Sequence, residues 1–211
     1  MKENIDPRLY FLMRRVKENI ARGFPGQAVN LLDIGCADGS FLTVAKKSLN
    51  ETGRVDGLDV PSRWCSDIES DAKSAVYRQD LQDGIGKIPA EHYHAVTMWE
   101  VIEHIENGYS FLRNAMQIMK PGGVIFLSSP NLLGLSRFIK RNRWVGITEA
   151  DHKYLFDTLS MAMLLERAGF VSIDVKAYFL PSLGPAWDGL NKVLSKIPGG
   201  GMLFARAVKP G

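Results

Sequence analysis

Apolar positions along the chain alternate between two spacings. After Pro7, which suits a first helical turn, Leu9, Leu12, Met13, Val16 and Ile20 recur at helical intervals until the glycines of 23–26 stop them. Residues 29–34 then form a short unbroken apolar run that gives way to Gly35, Asp38 and Gly39. Phe41, Leu42, Val44, Ala45 and Leu49 resume the helical spacing, so the segment reads strand, glycine turn, helix. The alternation repeats, with strands expected at 55–60, 75–80, 94–99 and 124–129 and helices around 66–73 and 109–119. These strands are nearly continuous in apolar side chains, as strands covered on both faces of a parallel sheet are. An open, doubly wound α/β sheet follows. Lys120, Pro121, Gly122 and Gly123 read as a helix stop and a tight turn into a strand that starts at Val124. Farther on, a helix at 159–168 stops at Gly169. Strands at 171–180 and 201–208 flank a helix near 186–194 and read as an antiparallel addition to the sheet.

Composition narrows the class. The 211 residues are 45% hydrophobic and 23% charged, which excludes disorder and a disulfide scaffold. One domain of this size buries roughly 70% of the surface of its unfolded chain and needs no metal for stability. A net charge of +3 is too small to imply nucleic-acid binding by its field. Cys36 and Cys65 stand apart, in no CxxC pair, which suits a reducing compartment. Lys2, Arg8, Arg14, Arg15 and Lys17 interrupt the apolar positions of the first twenty residues, so no signal peptide is expected there. No run reaches the ~18 apolar residues of a membrane-spanning helix. A cytoplasmic protein is expected, with contact to a membrane surface left open.

The chemistry concentrates in LLDIGCADGSFL, residues 31–42. Glycines at a strand-to-helix turn let a ligand approach the backbone, and in an open parallel sheet that turn lies at the carboxyl ends of the strands. The spacing is G-x-x-x-G, not the G-x-G-x-x-G of nicotinamide binding. Asp33 and Asp38 would repel a pyrophosphate and favour a cofactor with a positive centre.

S-adenosylmethionine (SAM) is such a cofactor, and the chain resembles the class I SAM-dependent methyltransferases, in the broad group that includes the ubiquinone-biosynthesis O-methyltransferases. The likeness covers about 29–170 and rests on LLDIGCADGSFL, GLDV, RQDL, AVTMWEVIEHI and MKPGGVIFLSSPN in family order, with His152, Phe156 and LLERAGF following. It implies a single Rossmann-like domain with a mostly parallel seven-stranded sheet whose last strand is antiparallel. An N-terminal cover helix would occupy 1–26, the SAM-binding core 29–130, a substrate-side insertion or lid 131–158, and the completion of the sheet 159–211. It also implies a cofactor site. Asp33, Gly35, Cys36, Ala37, Asp38 and Gly39 would hold the methionine end, and Asp59 would accept from both ribose hydroxyls. Val60 would pack on the adenine, and Asp80 and Leu81 would touch its amine and ring. Trp99 is expected either beside the methionine or in the core. S-adenosylhomocysteine (SAH) would be the product.

Methyl transfer from a sulfonium is an in-line displacement that needs a base only for a weak nucleophile such as a hydroxyl. His104 and His152 are the candidates, whereas His92 and His94 adjoin a buried strand. Glu100, Glu103 and His104 form E-x-x-E-H, which on a helix would share one face. With His152 this set resembles the metal site of ubiquinone-type and small-RNA 2′-O-methyltransferases, although such strings also serve metal-free relatives. A metal-free site is the expectation and a divalent metal the alternative.

Residues 131–146 carry Arg137, Lys140, Arg141 and Arg143, no acid, and six large apolar side chains. A lid, an anchor for an anionic or lipid-linked substrate at a membrane surface, and an ordinary solvated helix are all consistent with this. The expected acceptor is a small or lipid-linked molecule, with methylation on oxygen, and RNA is the lesser candidate. A catalytically silent SAM-binding regulator is the alternative from another class.

Overall fold

The computed structural model describes residues 6–49, 53–61, 74–86, 88–179 and 188–211. The helix expected at 66–73, Cys65 and the start of the helix near 186 lie outside them. The elements follow the order α1 (Pro7–Gly23), β1 (Leu31–Ile34), α2 (Ser40–Ser48), β2 (Val55–Asp59), β3 (Val76–Arg78), β4 (Tyr93–Trp99), α3 (Gly108–Ile118) and β5 (Met119–Pro130). They continue with α4 (Leu135–Lys140), α5 (Val145–Thr148), α6 (Thr158–Ala168), β6 (Val171–Tyr178), α7 (Asp188–Leu194) and β7 (Met202–Val208).

The strands form one seven-stranded sheet in the order β3-β2-β1-β4-β5-β7-β6. All neighbours are parallel except β7, which runs antiparallel between β5 and β6. The order reverses between β1 and β4, so the crevice above their carboxyl ends is the place where such sheets bind ligands.

Local rules explain the elements. The Asp6 side chain accepts from the Arg8 N–H, Pro7 follows it, and α1 lays Phe11, Leu12, Met13, Val16 and Ile20 on the sheet. All four residues of β1 and six of the seven in β4 are buried, which is why their sequences are apolar without alternation. On the α3–α6 side the core gathers Leu32, Leu58, Val96, Met98, Leu112 and Leu165. On the α1–α2 side it gathers Leu31, Phe41, Ala95, Phe126 and Phe204. Each fully buried Leu or Phe contributes about 1.5–3 kcal/mol before ordering costs. Helix α6 starts with a capping box between Asp157 and Ser160 and stops at Gly169, whose φ is 100°.

Two boundaries differ from the sequence expectation. The fifth strand starts at Met119, not Val124. Met119 pairs with Tyr93 and Val124 with Ala95, so 120–123 bulge out opposite a single residue, and the turn chemistry there belongs to a bulge inside the strand. Glu100 to His104 is not one helix. Trp99 ends β4, Glu100 takes a left-handed φ of 54°, and only Ile102–His104 form a 3-10 turn.

Candidate functional site

The glycine turn joins β1 to α2. Gly35 and Gly39 adopt φ of 75° and 77°, and a Cβ on Gly35 would lie 2.2 Å from Val101 Cγ2, so the chain after β4 presses directly on the turn. The Gly35 N–H donates to the Leu58 carbonyl at 2.7 Å, and the Ala37 N–H donates to Asp59 Oδ2 at 2.5 Å. Asp59 Oδ1 also accepts from the Val60 N–H at 2.7 Å. Asp59 therefore ties the turn to the end of β2 and keeps further lone pairs on both oxygens, as acceptance from a diol requires.

Asp33 is buried beneath the turn, where the Thr97 hydroxyl donates to its Oδ1 at 2.6 Å. Burial pushes its pKa up to about 8, against the Thr97 hydrogen bond and with a smaller push from Asp59. Among the described residues no cation offsets that burial, and a ligand with a positive centre would supply one. The donor set thus fits SAM: left-handed glycines, an acid at the end of β2, and a buried acid lacking a counter-ion.

The other expected contacts spread around this rim. Asp38 is exposed and accepts from the Ser40 N–H, Cys36 is buried, and Val60 is exposed. Asp80 caps the following 3-10 turn by accepting from the Gln82 N–H, while Leu81 is buried in the core. Trp99 is half-buried, edge-on to Phe41 at 5.2 Å and stacked near Phe204 at 6.1 Å. Its indole N–H is buried without a partner.

Beyond Trp99 the structure gathers Glu103, His104 and His152, whose ligating atoms all lie within 4.8 Å of one another. Glu103 is buried and neither oxygen has a well-aligned donor, although Ser129 lies close enough to oppose its shift. Burial, then the Glu100 carboxylate, pushes its pKa up to about 8. The rings of His104 and His152 meet edge-on at 4.7 Å. His104 Nδ1 stands 3.0 Å from Asp151 Oδ2, close enough for an ion pair but without hydrogen-bond alignment. His152 Nδ1 lies 3.2 Å from the Gly146 carbonyl, which leaves Nε2 for other contacts.

Glu100, the fourth candidate, stands apart from this trio. Ser128 donates to its Oε1 at 2.8 Å and caps its N–H at 3.2 Å, and burial raises its pKa against that bond. His94 accepts from the Asn30 N–H at 3.0 Å, and His92 lies beside the same asparagine, so both are structural.

Sequence reasoning passed over Thr97, Ser128 and Gly146, which hold Asp33, Glu100 and His152 in place. Thr97 and Ser128 did leave a signal, as polar residues within otherwise apolar strand runs. Gly146 did not, since its role depends on Trp144: a Cβ there would lie 2.2 Å from the indole ring.

Comparison with known proteins places this geometry. A family described as a methyltransferase domain matches residues 5–175. A ubiquinone biosynthesis O-methyltransferase of Pseudomonas aeruginosa is 28% identical over 168 residues, 79% of this chain and 64% of the relative. The chain spans about half the length of other curated relatives that it matches. A SAM dependent methyltransferase from Archaeoglobus fulgidus has a similar fold, with a TM-score of 0.64 at 22% identity over 93% of this chain and 94% of the other. So does phosphoethanolamine N-methyltransferase 2 of Haemonchus contortus, in complex with SAM, with a TM-score of 0.69 at 18% identity over 94% and 53%. Family match, glycine turn and sheet order agree: the chain belongs to the methyltransferase domain family, with the fold of the SAM-dependent enzymes it resembles.

Proposed function

We propose that the chain moves the methyl group of SAM to an oxygen of a small or lipid-linked acceptor, with Glu103, His104 and His152 facing the acceptor hydroxyl. The observation that carries this is the placement of the trio. Glu103 and His104 follow Val101, which touches the glycine turn, so they stand next to the cofactor crevice. A buried carboxyl group with no well-aligned donor on either oxygen, against two imidazoles, is costly for structure alone and suited to proton handling. The ubiquinone O-methyltransferase relatives support oxygen as the acceptor atom.

In this reading the backbone of residues 35–39 holds the methionine end and Asp33 faces its ammonium. Asp59 accepts from the ribose hydroxyls, Val60 and Leu81 flank the adenine, Asp80 meets its amine, and Trp99 walls the methionine side. As the acceptor oxygen bonds to the methyl carbon, the S–C bond breaks and SAH leaves as a neutral thioether. The hydroxyl proton passes to the imidazole of His152 or His104. The turn follows β1, Glu103 and His104 follow β4, and His152 comes from the segment after β5, so acceptor and methyl would be held in line above the carboxyl ends of neighbouring strands.

A second reading rests on the same trio. Three ligand atoms within 4.8 Å, one from an unpartnered carboxylate, fit a divalent cation held by Glu103, His104 and His152. Bound there, it would orient the hydroxyl and lower its pKa.

Labelled SAM incubated with cell extract tests both. The wild type should retain SAH and label an acceptor, and Glu103→Gln should retain SAH but lose labelling. Full labelling by Glu103→Gln would refute the role of the trio, and full labelling in excess chelator would refute the metal. SAH retention with no acceptor labelled would favour a silent SAM-binding regulator.

A further inference from the structure

Exposed apolar side chains cluster where the chain leaves the carboxyl end of β5. On α4, Phe138 is 56% and Ile139 72% exposed, with Leu135 beside them, and Val145 and Ile147 continue the series through α5. The loop 198–201 is stitched to this segment. The Asn131 amide donates to the carbonyls of Pro198 and Gly200 at 2.7 and 2.6 Å, and the Leu135 N–H to that of Gly199 at 2.8 Å. Just ahead of that loop, Val193 and Ile197 are 63% and 52% exposed. Two stretches distant in sequence, both with exposed apolar side chains, thus meet in one surface region.

Cations are interleaved with it. Lys140, Arg141 and Arg143 are exposed, the Arg137 guanidinium lies 5.3 Å from the Phe138 ring, and no acid lies between Asn131 and Glu149. A dry protein interface excludes charge from its centre, whereas here the charges sit among the apolar positions. Single-stranded nucleic acid stacks on aromatic rings, and Phe138 is the one exposed aromatic on this segment, because Trp144 is buried. Aliphatic groups that can enter hydrocarbon, with lysine and arginine at their margin, are what an anionic lipid surface recognises.

We propose that this face docks on an anionic lipid bilayer, with Phe138 and Ile139 entering the headgroup–acyl boundary and Lys140, Arg141 and Arg143 meeting the phosphates. It deepens the methyl-transfer reading, on which it rests for its purpose alone: the crevice at the strand ends then opens beside the bilayer in which an apolar acceptor dissolves.

The test is co-sedimentation of the full chain with vesicles of phosphatidylcholine, with and without phosphatidylglycerol, while SAH retention is measured separately. Binding is expected to the anionic vesicles only, to weaken with salt, and to fall about tenfold or more in each of Phe138→Ser/Ile139→Ser and Lys140→Glu/Arg141→Glu. Thermal unfolding and SAH retention unchanged from the wild type show that the variants fold. The proposal is overturned by no binding to either vesicle, by equal binding to both, or by variants that bind like the wild type. Binding to an RNA oligonucleotide or burial of the face in a dimer, without vesicle binding, overturns it too. Vesicle binding without SAH retention would instead sink the methyltransferase reading and leave the docking intact.

Discussion

Replacing Asp33 by Asn tests the idea that the cofactor turn rests on a buried acid without a counter-ion. The amide oxygen can still accept from Thr97, 2.6 Å away, so the packing changes little. What changes is the proton balance. With a pKa raised from 3.8 to about 8, Asp33 stays protonated in the fold while it ionises in the unfolded chain across that window. The unfolded state therefore binds fewer protons there, and stability falls by about 1.4 kcal/mol per pH unit as pH rises from roughly 4 to 8. Between pH 5 and 7.5 this group alone removes about 3 kcal/mol from the cofactor-free protein. Glu103, raised to about 8 by the same cause, adds a parallel loss. In urea unfolding without cofactor, Asp33→Asn should lose clearly less stability than the wild type over that interval and be the more stable protein at pH 7.5. In SAH titrations the wild type should bind more tightly as pH approaches 8, since binding requires the ionised acid and releases its proton, whereas the variant should bind weakly with no such trend. Parallel stability profiles for the two proteins would refute the reasoning.

Gly35→Ala places a Cβ 2.2 Å from Val101 Cγ2 at a left-handed φ, so calorimetry should show lost SAH binding and a destabilisation of about 2–4 kcal/mol. The double variant with Val101→Ala should recover the steric part, and strict additivity would show that the two residues do not press on one another. Asp59→Ala should weaken SAH binding by about 1–3 kcal/mol through lost ribose acceptance, and unchanged affinity would remove it from that role. Gly146→Ala drives a methyl into the Trp144 ring and shifts the carbonyl beside His152; kcat should fall while SAH affinity stays level, and an unchanged kcat would sever that link.

Elements held by one dominant local signal were legible in the sequence. The doubly covered strands show as apolar runs, and helices α1 and α6 show through Pro7 and Gly169 at their ends. The misreadings arose where tertiary pairing overrode a local pattern. Residues 120–123 carry turn chemistry, but Tyr93 captures Met119 ahead of them and turns the stop into a bulge. E-x-x-E-H has helical spacing, yet Ser128 holds Glu100 to the end of β5 and forces the chain left-handed before the 3-10 turn. Likewise Trp144 reads as part of an amphipathic face and is in fact buried. His152 meets Glu103 because the backbone N–H groups of Lys153 and Tyr154 both donate to the Glu103 carbonyl, a contact that spacing does not encode.

The position of β7 bears on how the molecule is made. The last strand in sequence lies between β5 and β6, so during synthesis both of those wait with open edges until residues 202–208 leave the ribosome. Strands β3, β2, β1, β4 and β5 can pair with one another before β7 exists, whereas β6 joins the sheet only through β7. Until then Val124 to Pro130 offer a long, apolar, unpaired edge of the kind that joins other chains. Slow emergence of the final segment should therefore divert the protein into aggregates before it alters any property of the finished fold.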